Sequence, residues 1–152
     1  MAPAPTAPPS PASARARCIA APSAGARPMT ERRARGDRAE QLAVDHLVAT
    51  GHAIEARNWS CREGELDIVA RRGDVLVIVE VRSASTDWLR SPTVTVSAAK
   101  QKRVARAAER YLAVCRGARR DLRFDVIGVR FVPDGPPQIE HIENAFTAPW
   151  AY

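Results

Sequence analysis

Apolar residues recur at helical spacing between Gly36 and Thr50, where Ala39, Leu42, Ala43, His46 and Leu47 form one stripe and Gly51 supplies a stop. Glu40 sits at the border of that stripe, so it can look toward a sheet instead of bulk water. His52 to Trp59 reads as a first strand with Ile54, Ala56 and Asn58 on one side, and Ser60 to Glu63 as a polar turn. Glu65 to Arg71 and Val75 to Arg82 are β-rich runs around Arg72-Gly73-Asp74, a hairpin signal. Ser83 to Thr93, with Trp88 and Pro92, predicts a loop. A second helix is expected from Ser97 to Arg116, turning Val104, Ala108, Tyr111, Leu112 and Cys115 inward and Arg103, Arg106 and Arg110 outward. Two more strands, Leu122 to Val132 and Gln138 to Glu143, flank the turn Pro133-Asp134-Gly135-Pro136-Pro137. The order α-β-β-β-α-β-β predicts an α/β sandwich around a mixed sheet, with no repeat and no second domain.

Two of these strands carry acids where apolar residues belong. Alternation puts Glu65 and Asp67 on one face of their strand, and Glu80 and Arg82 on one face of theirs. A hairpin closed by an even-length loop would set Glu65 opposite Glu80, with Asp67 one diagonal step away. Two carboxylates ~5 Å apart at an effective dielectric of ~20 repel by roughly 3 kcal/mol, so the face invites a divalent cation, a paired arginine, or both. That is the outline of a metal-dependent phosphodiesterase site.

Composition narrows the picture. The first 28 residues hold seven of the 12 prolines, ten alanines and no acid, the composition of a disordered tail or of sequence upstream of a start at Met29. Residues 29–152 then form one domain. No apolar run is long enough for a signal peptide or a membrane span. Cys18, Cys61 and Cys115 lack paired spacing, which argues against a zinc ribbon or a disulfide framework and for a reducing cytoplasm. His46, His52 and His141 are scattered and read as structural. Setting aside Arg15, Arg17 and Arg27 leaves 20 basic against 17 acidic residues, a modest excess. Its distribution says more: nine cations against Glu109 and Asp121 lie between Lys100 and Arg123. Lys100, Lys102, Arg103, Arg106 and Arg110 are the candidate nucleic-acid contacts, since counterion release rewards clustered cations, although a solvated helix face has the same composition.

The acid-bearing strands, their hairpin and Glu80-Val81-Arg82 resemble the core of the PD-(D/E)xK restriction-endonuclease-like nucleases. From Gly36 to Phe146 the chain is similar to the YraN-type family of bacterial proteins, which in turn resemble archaeal Holliday junction resolvases. Gly36-Asp37-Arg38-Ala39-Glu40, Arg57-Asn58-Trp59, Gly64-Glu65-Leu66-Asp67-Ile68-Val69, Val79-Glu80-Val81-Arg82, Lys100-Gln101, Arg123-Phe124-Asp125-Val126-Ile127 and Ile142-Glu143-Asn144-Ala145-Phe146 carry that resemblance. It implies a restriction-endonuclease-like sheet flanked by helices. It also implies Mg²⁺ or Mn²⁺ held by Asp67 and Glu80, with the Val81 carbonyl and Glu40 as further ligands and Glu65 in support. Asp67, Glu80, Arg82 and Glu40 would be the catalytic set, and branched or structured DNA the substrate, with RNA not excluded. Resolvases act as dimers on two-fold-symmetric junctions, so the resemblance admits a homodimer.

The nuclease signature has lysine where this chain has Arg82. Arginine cannot serve as a base, but it can stabilise charge developing on phosphate, and Lys100, near the start of the basic helix, is a candidate to substitute as a mobile cation. An inactive module that binds nucleic acid through its basic helix is the alternative. Asp125, interrupting an apolar strand, is expected to form a buried ion pair with Arg123 or a helix cation.

Overall fold

The structure, a computed structural model, describes residues 30–84, 96–115 and 121–148. The Ala/Pro-rich tail, Trp88 with most of its loop, and Arg116, Arg119 and Arg120 lie outside them. Helix α1 spans Glu31–Ala49. It begins before the expected Gly36 because Glu31 to Arg35 favour helix intrinsically and, being exposed, need no core partner. At its other end Gly51 adopts φ 86, and the N–H groups of Gly51 and His52 return to the carbonyls of Val48 and Leu47 at 3.1 and 2.9 Å. That closure needs a residue free to adopt positive φ.

Strands β1 (Ala53–Cys61), β2 (Gly64–Arg72), β3 (Val75–Ala84), β4 (Leu122–Arg130) and β5 (Gln138–Phe146) form one five-stranded sheet in that spatial order. Only β3 and β4 pair in parallel, because helix α2 (Ala98–Cys115) lies between them in the chain and supplies the crossover. One sheet face packs Ile68, Ala70, Val77, Val79, Ile127 and Val129 against Ala39, Ala43 and Leu47 of α1. The opposite face packs Leu76, Ile78, Phe124 and Val126 against Val104, Ala105, Ala107, Ala108 and Tyr111 of α2. The mixed α/β sandwich and its element order are those the sequence predicts.

The β2–β3 hairpin closes through Gly73-Asp74, with Arg72 opposite Val75 and positive φ at Gly73 alone. The loop has even length, but the register differs from expectation. Val79 pairs with Ile68, so Asp67 and not Glu65 is the residue that continues toward Glu80.

The register matters because the β2–β3 ladder stops at Ile68–Val79, while β1–β2 pairing runs on to Cys61–Gly64 and β3–β4 pairing to Ala84–Arg130. Leu66 and Val69, three residues apart, both belong to the α2-side core, so strand alternation slips between them. Asp67 falls in that slip. Its Oδ2 accepts the Val81 N–H at 2.9 Å. A carboxylate therefore replaces the next rung of the ladder, and the sheet divides into β1–β2 and β3–β4–β5 halves.

Gly64 allows α2 to close over this gap. A Cβ there would lie 3.3 Å from the Arg103 carbonyl oxygen and 3.7 Å from the Ala107 Cβ.

Candidate functional site

The gap between the two halves is a cleft of about 250 Å³ lined by Gly64, Glu65, Asp67, Glu80, Lys100, Arg103 and Val104. Residues distant in sequence reach it for separate reasons. Asp67 is held by the Val81 N–H, Glu80 by the β3 backbone, and Lys100 and Arg103 by the first turns of α2.

Glu80 is only 3% exposed and makes an ion pair with Lys100 Nζ, whose side chain is 34% exposed. Burial, reinforced by the nearby Asp67 charge, pushes the Glu80 carboxyl up to about 7, against the opposing pull of Lys100 and Arg82. The cleft therefore holds a carboxylate that is ionised at a cost near neutral pH. Glu65, which lines the same cleft, is exposed.

Glu40 approaches from α1, half-buried, and its Oε2 accepts the Asn58 side-chain N–H at 2.9 Å. Burial raises its pKa, with a further upward push from Asp67 and an opposing effect from the Asn58 hydrogen bond. Asn58 adopts φ 47, a left-handed conformation that non-glycine residues seldom take. Among the described residues, no three His, Cys, Asp or Glu side chains are gathered closely enough to hold a metal ion by themselves. The residues present still fit a hard divalent cation of the magnesium type. Such an ion commonly uses one or two carboxylates and completes its shell with water and phosphate oxygens.

The two candidate cations take different places. Arg82 shares the Glu80 face by alternation, yet Lys100 makes the ion pair with Glu80. Arg82 is half-buried, its Nε is enclosed without a hydrogen-bond partner, and it acts on Glu80 only through its charge at a distance. Lys100, counted with the basic helix and also a candidate substitute cation for the acids, faces the acids. Lys102, Arg103, Arg106 and Arg110 are exposed, and Arg103 borders both the cleft and the helix surface.

A second polar group lies on the α1 side of β4 and β5. Asp125 is fully buried and bridged by Arg123 Nε and Nη2 at 2.8 and 2.7 Å, His141 Nε2 at 2.8 Å and the Asn144 N–H at 2.9 Å. The net result is a lowered Asp125 pKa: burial opposes the shift, and the bonds from His141, Arg123 and Asn144 outweigh it. The carboxylate sits where the β4–β5 register shifts, and Asn144 there takes φ 52. The ion pair expected with Arg123 is thus present, and it secures a bulge.

His46 and His52 lie near His141, with ring centroids 5.4 and 6.0 Å away, although nothing in their sequence spacing joins them. Only the pairing of β5 with β4, which sets His141 opposite Ile127, brings them together.

The fold and cleft define a mixed α/β protein whose five-stranded sheet, flanked by two helices, carries an acidic gap. The chain belongs to the uncharacterised protein family UPF0102, whose profile matches residues 39–129. A UPF0102 protein of Myxococcus xanthus is 47% identical over 119 residues, which cover 78% of this chain and 93% of that protein. A relative from Frankia alni is 45% identical over 107 residues, 70% of this chain and 89% of its own. One from Pseudomonas aeruginosa strain LESB58 is 42% identical over 126 residues, 79% of this chain and 100% of its own.

Proposed function

We propose that the protein binds nucleic acid and hydrolyses phosphodiester bonds in branched or structured DNA, using Mg²⁺ or Mn²⁺ at the divided sheet. The observation that carries this reading is the meeting of Asp67 and buried Glu80 in a cleft whose helical wall continues into Arg103, Arg106 and Arg110. Asp67 and Glu80 would hold the ion, with Glu40 nearby on α1. When bound, it supplies Lewis acidity and a more acidic water. Arg103 reaches from the cleft to the helix surface, so it can hold a backbone phosphate beside the acids. Arg82 adds positive charge that acts on Glu80 and cannot act as a base. A cytoplasmic homodimer acting on two-fold-symmetric substrates completes the proposal. Among the described residues, no helix is long and apolar enough to cross a membrane.

The test incubates the full chain with junction, flap and single-stranded substrates in Mg²⁺ or Mn²⁺. Cleavage by wild type that disappears in Asp67→Ala and Glu80→Ala supports the proposal. No cleavage, or equal cleavage by the variants, removes the enzymatic part.

The Lys100–Glu80 pair favours a second reading, because it neutralises the buried acid without a metal ion. On that reading the protein only binds nucleic acid. Binding would fall steeply with salt, survive Asp67→Ala, and be lost when Arg103, Arg106 and Arg110 become glutamate.

A further inference from the structure

We infer that Lys100 is a tethered counter-cation that a divalent metal ion must displace from Glu80, and that a substrate phosphate oxygen receives the released ammonium. The inference rests on reading Asp67 and Glu80 as metal ligands, and it adds a coupling between metal and substrate.

Its basis is the asymmetry of the pair. Glu80 is 3% exposed and fixed on a central strand, whereas the Lys100 side chain is 34% exposed and extends from the first turn of α2. A four-carbon stem lets the ammonium leave without backbone movement, while the carboxylate stays in place. The ammonium bonds Glu80 Oε1, so it already occupies part of the carboxylate that the ion would need. A divalent cation and an ammonium brought to one carboxylate repel each other, so only one can hold it fully.

The released group has a destination. Lys100 lines the same cleft as Arg103, and Arg103 leads to the exposed Arg106 and Arg110. A phosphodiester lying along these cations would meet Lys100 at the cleft. By linkage, a phosphate that holds Lys100 away from Glu80 strengthens metal binding, and metal binding strengthens the hold on phosphate.

Arg82 does not duplicate this role. It forms no ion pair among the described residues, and its enclosed Nε leaves it less free to swing.

Titrating Mn²⁺ into the full chain by calorimetry, with and without a short DNA duplex, tests the inference. Lys100→Met and Lys100→Gln should bind Mn²⁺ alone about tenfold more tightly than wild type, as expected when a competing charge leaves a partly exposed site. Arg103→Met, which removes a cation from the same wall without touching Glu80, should change Mn²⁺ affinity by no more than about twofold. Adding duplex should tighten Mn²⁺ binding by wild type and leave both Lys100 variants unaffected. Thermal melts confirm that each variant is folded. Wild-type Mn²⁺ binding that neither Lys100 variant improves overturns the inference and leaves the cleft as a metal site. Absence of Mn²⁺ binding by wild type and by both variants overturns the metal reading and the inference together.

Discussion

Replacing Glu80 with Gln keeps the shape of the side chain and removes a charge that the fold holds at a cost. The carboxyl is 3% exposed and its pKa rises from 4.5 to about 7. A folded-state pKa above the unfolded value means that folding favours the protonated form. The associated stability is fully present below about pH 4.5 and is lost as pH rises through about 7. That span corresponds to roughly 3 kcal/mol, a figure already net of the opposing pull of Lys100. Glu80→Gln should therefore match wild type near pH 4 and exceed it by roughly 1–3 kcal/mol at pH 8, a few degrees in melting temperature. Urea and thermal unfolding of both proteins from pH 4 to pH 9 in EDTA provide the assay. The difference between the two curves isolates this group from the other titrations. A difference that stays flat with pH, or a variant less stable than wild type at pH 8, would refute the reasoning.

Other predictions address neighbouring contacts. Asp67→Asn keeps an oxygen for the Val81 N–H but removes the charge that repels Glu80 and Glu40, so carboxyl NMR should find both groups titrating at lower pH than in wild type. Asp125→Ala should cost about 3–5 kcal/mol in chemical denaturation, because Arg123 loses its buried partner and the Asn144 N–H its acceptor. The lowered Asp125 pKa contributes stability above the ordinary value of 3.8 that is lost as pH falls through the folded value. Wild type should consequently lose more stability than Asp125→Asn on acidification through that range. Gly64→Val would press a branched side chain against the Arg103 carbonyl and should cost about 1–3 kcal/mol in urea unfolding.

Much of the fold is legible along the chain because its cues are local. The alternating apolar runs of β2 and β3, the stripe on α2 and the glycines at 51 and 73 each act within a few residues. Boundaries drift where locality ends. Exposed Glu31 to Arg35 extend α1 by propensity alone, and β5 continues to Phe146 because β4 offers it a partner. The candidate acids are visible as charges on apolar strands, but their partners are not. Parity alone allows Glu65 opposite Glu80, whereas the two-residue loop pairs Ile68 with Val79, so that Asp67 is the acid that runs on toward Glu80 and takes the Val81 N–H. Lys100 is only one candidate cation for the acids until α2 is laid across β2, and the three histidines look unrelated until β5 pairs with β4.

The sequence alone determined the order of elements, the two amphipathic helices, the family and the unusual presence of Asp67 and Glu80 on strands. These are properties of short-range periodicity and residue type. Tertiary structure decided which charges meet. It divided the sheet at Asp67, buried Glu80 and delivered Lys100 instead of Arg82 to it. The physical reason is that ion pairing and desolvation depend on distances of a few ångströms between segments that no local pattern relates.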